Sequence, residues 1–386
     1  MLSLLSQDHD VEVLYPVESL HQDRPTKPHL PQLWRLPNSV KLHPCQAEVP
    51  TLWNRSLERI LPDVIHGDSE ELKRAIETFA KAIKKAGGLP RVWVSRLRTA
   101  QYVKLAKSLG FHVTLDEHQV ECDVMLEDAF SSWRGLSSTF HAIETWLLER
   151  RVAQSVDQLI SSTEIDASRL RKLASNLPIS VFGLALPMEP EWIPKSQSNQ
   201  EACPTLLMVG SLHYPPFLEG IRWCIREILP RIERASAASE SPMPKLLIAG
   251  TDPDPANPVY REISELCEVQ IIESRADLRA CFDRAHVALF PLRKGRGNRW
   301  LLLETLAAGI PTVTQGRAAD GVLFDPGVTG FLAEKPDTFT SYILRLLRDA
   351  DLRLKVGQAS RKLIQERYSL GETQVRALRA LFTTPK

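Results

Sequence analysis

The chain has 386 residues, of which 25% are charged and 43% hydrophobic, with a formal net charge of +1. That profile belongs to an ordinary globular protein with enough length for two domains, each burying its own core, and it excludes a fibrous or largely disordered chain. The near-neutral balance argues against nucleic acid as a partner, because such binding needs a broad basic surface.

Cys45, Cys122, Cys203, Cys224, Cys267 and Cys281 stand singly, with no CxxC and no histidine at metal-ligand spacing. A zinc site or disulfide framework is therefore not expected, and reduced thiols in the cytoplasm fit this pattern. The opening MLSLLSQDHD lacks a basic leader region, and no apolar run reaches the length of a bilayer span.

In chain order, LSLLSQ reads as the end of a helix and DHDVEVLYPV as a turn followed by a strand. Residues 20–60, rich in proline and histidine, read as a long irregular connection. EELKRAIETFAKAIKKAGG then repeats apolar residues at helical spacing and stops at Gly87 and Gly88, ahead of the strand RVWVSRL. TAQYVKLAKSLG, FHVTLDEH, STFHAIETWLLERRVAQSV, LISST and PISVFGL continue the alternation of helix and strand.

PMEPEWIPKSQSNQEACP, residues 187–204, reads as a linker. A second alternating run follows: TLLMVGSL, GIRWCIREILPRIERA, KLLIAGTD, EVQIIES, ADLRACFDRA, HVALFPL and PTVTQG. Its strands are continuously apolar, as a parallel sheet covered on both faces requires. The reading is α/β throughout, with two doubly wound domains facing a cleft.

The segment KGRGNRWLLLETLAAGIP carries the clearest chemistry. Asn298 suits an N-cap and Gly309 followed by Pro311 suits a stop, so RWLLLETLAA is predicted as a helix of about three turns. Its first amides have no partner within the helix. With the positive end of the helix dipole, flexible glycines and the forked donors of Arg293, Arg296 and Arg299 beside Lys294, they make an anion site suited to a diphosphate. Glu304 lies too deep in the helix to cap it, and as an acceptor it suits the vicinal hydroxyls of a sugar. The plainer alternative is a solvated basic loop with Glu304 as a surface acid.

This stretch resembles the G-G-G-x-R-x-K-x-x-E-A-x-A-x-G-x-P-V-V segment of the glycosyltransferase family 4 enzymes, the glycosyltransferases group 1. LLMVGSLHYPPFLEGIRWCIREILP, KLLIAGTDP and DLRACFDRAHVALFPL are similar to that family's following motifs, as are AADGVLFDPGVTGFLAEKP and DLRLKVGQASRKLIQERYSL. In the first half, TLDEHQVECDVML resembles the D-E-H-N-V-E-S motif of the acceptor-side domain. The densest matches run from 205 to 370.

The resemblance implies the GT-B fold, two Rossmann-like domains facing a cleft. It places an acceptor-side domain at 1–186, the linker at 187–204, a nucleotide-sugar domain at 205–365 and, at 366–386, a helix crossing back to the first domain. It implies a retaining transfer of a hexose from a nucleoside-diphosphate sugar to a glycan or lipid-linked acceptor, with no essential metal. A lipid-linked acceptor would bring a peripheral contact with the inner face of the cell membrane.

Position by position, Glu304 matches the ribose-binding Glu of an E-x7-E pair. Arg299 matches the Arg of R-x-K, and Gly297 gives room for close approach. Gly210 and Ser211 match the first-strand turn that faces the donor. His118 matches the acceptor-domain histidine beside the reacting sugar, flanked by Asp116 and Glu121.

Several positions depart from the family pattern. Arg296 occupies the first position of E-x7-E, Leu301 replaces the Lys of R-x-K, Phe217 and Gln119 each replace an Asn, and Asp320 stands for a Glu. Arg296 or Lys294 is expected to supply the missing lysine charge. The family's first strand and Gly-rich loop have no counterpart before MLSLL, so an upstream start or a degraded first domain is expected. A GT-B protein kept only for binding is the rival reading, and a sugar-nucleotide epimerase a third. Among lesser signals, DPD at 252–254 reads as a proline-rich turn, Ser161 and Ser162 as a turn, and Trp223, Ile225 and Leu229 as a core stripe. Trp133 and Trp146 are expected in the core, with an acceptor groove or a membrane surface as the alternative.

Overall fold

The computed structural model describes residues 69–117, 120–123, 126, 135–174, 176–183, 186, 203–293 and 299–369, with backbone alone for Arg98, 135–141, Arg299 and two strands at 12–18 and 41–47. The chain divides into two compact units, whose described parts fall mainly within Arg35–Leu184 and Ala185–Gly371. Residues 187–202 of the predicted linker and the predicted crossing helix beyond Ser369 lie outside the described residues.

The first unit contains β1 (Glu12–Glu18) and β2 (Lys41–Ala47), a parallel pair in which Tyr15 faces Pro44. A strand inside the stretch expected to be irregular is a correction. Local propensity disfavours it, since Pro44 has no N–H to give, yet a two-stranded sheet has only edges, where proline is tolerated.

Next comes α1 (Glu70–Lys85), started by Ser69, whose Oγ accepts from the Leu72 N–H at 3.1 Å. The Ser69 N–H in turn donates to the Tyr102 hydroxyl at 3.0 Å. Gly87, at φ +75°, follows the helix end as its sequence foretold.

β3 (Arg91–Ser95), α2 (Val103–Ser108), β4 (His112–Glu117), α3 (Gly135–Ala153), β5 (Gln158–Ser161), α4 (Glu164–Leu173) and β6 (Ile179–Val181) complete the unit. The strands β3 to β6 form a four-stranded parallel sheet in chain order. Leu72, Ile76 and Ala80 from one face of α1 pack with Val94, Val113, Leu115 and Leu159 of the strands. Each such leucine, isoleucine or valine contributes roughly 1.5–3 kcal/mol by leaving water.

Trp146 was expected in the core and is instead exposed. α3 buries Ala142, Thr145, Glu149 and Val152, and helical spacing turns Ile143, Trp146 and Leu147 outward. Trp133 lies outside the described residues.

The second unit begins with β7 (Thr205–Ser211), α5 (Pro215–Trp223), a π-turn at Cys224–Ile228 and α6 (Leu229–Ala238). The sequence reads as one helix there. Pro230 has no N–H to continue the ladder, and the wider turn just before it accommodates the ring. Trp223, Ile225 and Leu229 pack against the core as expected, and Trp223 meets Phe339 edge to face at 5.2 Å.

β8 (Lys245–Thr251), α7 (Pro258–Leu266), β9 (Glu268–Ile271), α8 (Arg275–Arg284), β10 (Val287–Phe290) and α9 (Arg299–Ala307) follow. The unit ends with β11 (Thr312–Thr314), α10 (Gly316–Ala319), β12 (Phe331–Leu332), α11 (Pro336–Arg348) and α12 (Ala350–Arg367). The six strands are parallel in the order β12, β11, β10, β7, β8, β9. The chain thus starts in the middle, adds β8 and β9 on one side, and then returns to add β10 on the other.

Alternate residues of one strand enter opposite cores. Leu206 and Met208 join Ile221, Ile228 and Phe339, whereas Leu207 and Val209 join Leu278, Phe282 and Ile310. The sheet is therefore covered on both faces, the doubly wound arrangement that the apolar strands foretold.

The DPD segment is a turn, in which the Asp254 carboxylate accepts from the Ala256 N–H and the Asp254 carbonyl from the Asn257 N–H.

α9 is seated by a close crossing on α12. Gly309, at φ +74°, ends the turn after α9, and a Cβ added to Gly357 would lie 2.1 Å from the Gly309 carbonyl oxygen. Ser360 Oγ donates to the Leu306 carbonyl at 3.1 Å across the same crossing. Substitution Gly357→Ala should force the two backbones apart and cost about 1–3 kcal/mol. A urea unfolding midpoint equal to that of the parent chain would show that the crossing is loose.

Candidate functional site

In the second unit, the carboxyl ends of all six strands lie at one edge, and the order reverses between β7 and β10. In open α/β sheets, ligands bind in the crevice at that reversal. The end of β7 supplies Gly210 and Ser211. Gly210 is covered rather than open, since an added Cβ would meet the Phe217 ring at 2.8 Å. Ser211 Oγ accepts from the His213 N–H at 3.3 Å, which tightens the turn into α5. Phe217 is thus one departure from the family pattern with a visible effect, the packing of its ring on the strand end.

At the end of β10, Phe290 and Leu292 lead towards the basic loop. Its Lys294, Arg296 and Gly297 lie outside the described residues, as does the side chain of Arg299. The predicted helix is present as α9, opening at Arg299. Glu304 sits one turn in, and its side chain is only 7% exposed.

A buried carboxylate requires a partner. Glu304 has Arg275, whose Nη1 donates to Oε1 at 2.7 Å, and Arg275 is 34% exposed. Sequence reasoning missed Arg275, which stands 29 residues away on the first turn of α8. No local signal marks the pair. Beside it along the edge, Gln315 follows β11 with its N–H on the Phe290 carbonyl at 3.1 Å, and the Gly316 N–H donates to Glu334 Oε1 at 2.7 Å.

In the first unit, Asp116 and Glu121 are both buried and belong to one acidic cluster at the end of β4. Asp116 Oδ2 accepts from the Trp93 indole N–H at 3.1 Å. Glu149, from the inner face of α3, accepts from the Glu121 N–H at 2.9 Å and from the Cys122 N–H at 3.3 Å. Glu117 is 1% exposed, and neither carboxyl oxygen has a hydrogen-bond partner among the described residues. His118 lies outside the described residues.

Glu117 and Glu149 were not singled out from the sequence. The spacing of Glu149 with Ala142, Thr145 and Val152 on the inner face of α3 is the signal that marks it. Burial raises the Glu149 carboxyl from 4.5 to about 7 against its hydrogen bonds. Burial first, then repulsion from Glu149, Glu121 and Asp116, pushes Glu117 well above the ordinary range, while Arg96 opposes it.

Among the described residues no group of three or more His, Cys, Asp or Glu is placed to hold a metal ion. The described cysteines are free, and Ser161 Oγ donates to the Thr163 carbonyl at 3.1 Å within a turn.

Two Rossmann-like units of this kind define the GT-B fold. The solved structures it resembles agree. Sucrose-phosphate synthase from Thermosynechococcus elongatus is 17% identical, with a TM-score of 0.63 over 99% of this chain and 90% of that one. A glycosyltransferase from Rickettsia africae is 13% identical at a TM-score of 0.57, covering 97% of this chain and 98% of that one. HepE of Anabaena, in complex with UDP and glucose, is 12% identical at a TM-score of 0.57, covering 90% and 87%.

Residues 203–349 match the family model described as glycosyl transferases group 1. Over that span, which lies in the second unit, the chain is similar to the glycosyltransferases of this group. No curated protein matches the chain by sequence.

The acidic cluster generates a pH dependence. Glu149 is raised from 4.5 to about 7 in the folded state, so between those values the native protein holds a proton that the unfolded chain releases. Stability is fully present below the lower value and falls as pH rises through the upper one, by on the order of 3 kcal/mol. Thermal melts across this window should show the decline, and Glu149→Gln should flatten it. An unchanged slope in that variant would sink the assignment.

Proposed function

We propose that the chain is a retaining glycosyltransferase that moves a hexose from a nucleoside-diphosphate sugar to a glycan or lipid-linked acceptor in the cytoplasm. The observation that carries the reading is Glu304, a buried carboxylate at the carboxyl edge of the second sheet, with Oε1 engaged and Oε2 without a hydrogen-bond partner among the described residues. An acceptor-only group so placed suits the ribose hydroxyls of a nucleotide lying along the edge.

On this reading the first amides of α9 bind the diphosphate and Lys294, Arg296 and Arg299 are assigned to it, so the reading calls for no metal. On this reading the leaving diphosphate takes the acceptor's proton on the face where the new bond forms. The protein contributes position and charge stabilisation. Asp116, Glu121 and His118 are assigned to the acceptor side.

Calorimetric titration of UDP and of GDP is the direct test. Micromolar-range binding of one of them is expected, weakened about 10- to 100-fold by Glu304→Ala, the loss expected for hydrogen bonds to a charged group. If neither nucleotide binds, the donor site is absent. Binding without sugar transfer to any acceptor would favour the rival reading of a fold kept for recognition.

The lipid-linked acceptor is supported by α3. Ile143, Trp146 and Leu147 are 51%, 37% and 48% exposed on one stripe, which Arg150 and Arg151 continue, with the Arg150 guanidinium 5.4 Å from the Trp146 ring centre. Apolar side chains bordered by cations suit an anionic membrane surface. Among the described residues no helix is long and apolar enough to cross a membrane.

The chain should co-sediment with vesicles containing phosphatidylglycerol and much less with phosphatidylcholine alone. Ile143→Glu with Leu147→Glu should abolish that without changing the melting temperature. Equal sedimentation of the double variant would remove α3 as the contact.

A further inference from the structure

Arg275 has no place in the nucleotide site as the family resemblance describes it, yet it makes the one described side-chain bond to Glu304. Its own position is fixed. Arg275 opens α8, and Ser274 and Asp277 close a capping box around that start. The Asp277 N–H donates to Ser274 Oγ at 3.3 Å, and Asp277 Oδ2 accepts from the Ser274 N–H at 2.8 Å and from the Glu273 N–H at 3.1 Å.

A backbone held in this way limits where the guanidinium can reach. Glu304 is equally constrained on α9, whose end is pinned on α12 by the Gly309 and Gly357 contact. The ion pair therefore joins two rigid helix segments, one following β9 and the other following β10. Its heavy atoms are 2.7 Å apart, and the carboxylate end is nearly closed to solvent.

A free glutamate side chain would rotate about three bonds and present either oxygen in many directions. With Oε1 held by Arg275, the carboxylate plane is set and Oε2 is left as the acceptor. Two hydroxyls on adjacent carbons need an acceptor of fixed direction, because both hydrogen bonds must be near linear at once.

We propose that Arg275 is a positioning residue for the donor: by holding Oε1 of Glu304 it aims Oε2 at the vicinal hydroxyls of the nucleotide ribose. This rests on the donor-site reading of Glu304. It predicts that the affinity contributed by the ribose hydroxyls depends on Arg275, whereas the affinity contributed by the base and diphosphate does not. A merely structural arginine would affect both alike.

The experiment is calorimetric titration of UDP and GDP, each beside its 2′,3′-dideoxy analogue, into the full chain, Arg275→Ala and Arg275→Lys. The parent chain should prefer the ribonucleotide over the dideoxy form by about tenfold or more, as the loss of a charge-assisted hydrogen bond implies. In Arg275→Ala the ribonucleotide should weaken about tenfold, while the dideoxy form stays within about twofold, so that the preference disappears. Arg275→Lys, which keeps a donor, should recover part of it.

Loss of affinity for both forms by the same factor would make Arg275 structural and overturn the inference. So would a ribose preference that survives Arg275→Ala, and in that case the donor-site reading would stand. A parent chain that binds neither nucleotide, or binds both forms alike, would overturn the role of Glu304 and the inference with it.

Discussion

A parallel strand buried on both faces has nowhere to place chemistry except at its ends. β7 is that strand in the second unit. Its backbone is bonded to β10 on one side and β8 on the other, and its side chains alternate between two apolar cores. Polar groups along it would be stranded without partners, at a cost of several kcal/mol each. The polar groups considered for the site consequently lie at or past the strand ends: Ser211, Arg275, Glu304, Gln315 and Glu334. The close glycine contacts serve the same constraint. Gly220 brings α5 against the Pro291 carbonyl, where an added Cβ would lie 2.4 Å away, and Gly357 does the same for α12 beneath α9.

The two units handle buried carboxylates in opposite ways. In the second, Glu304 is offset by a guanidinium, so a negative charge can sit in a site where a sugar nucleotide is proposed to bind. In the first, Glu117, Glu149, Glu121 and Asp116 crowd together, and burial and mutual repulsion favour the protonated form of Glu117. A protonated carboxyl can donate a hydrogen bond, whereas an ionised one only accepts. Asp116 and Glu121 owe their acceptor-side assignment to a sequence motif, and the structure places both beside Glu117, whose carboxyl is the one pushed up.

Much of the fold was legible in the sequence because its signals are local. Ser69 and Gly87 bracket α1, Gly110 ends α2, and Gly309 ends the turn after α9, each by capping chemistry or a positive φ that few other residues tolerate. The apolar runs TLLMVGSL and KLLIAGTD announce strands buried on both faces. Where the sequence misled, a non-local effect prevailed. β2 forms through pairing with β1 despite Pro44, the helix after β7 widens into a π-turn ahead of Pro230, and Trp146 faces outward because the inner side of α3 is already set by Ala142, Thr145 and Val152.

Sequence alone determined the α/β class, the doubly wound second unit and the position of Glu304 on a short helix after a basic glycine loop. These follow from hydrophobic period, caps and turn residues, which act over a few positions and can be read without a structure. Only the tertiary structure decided which groups meet. Arg275 reaches Glu304 across 29 positions, Phe217 folds back over Gly210, and Glu149 comes to the N–H groups of Glu121 and Cys122 from 28 and 27 positions away. Such partners are set by which helices the sheet order brings side by side. That order depends on burying both faces of β7 together, a property of the folded unit and of no single segment within it.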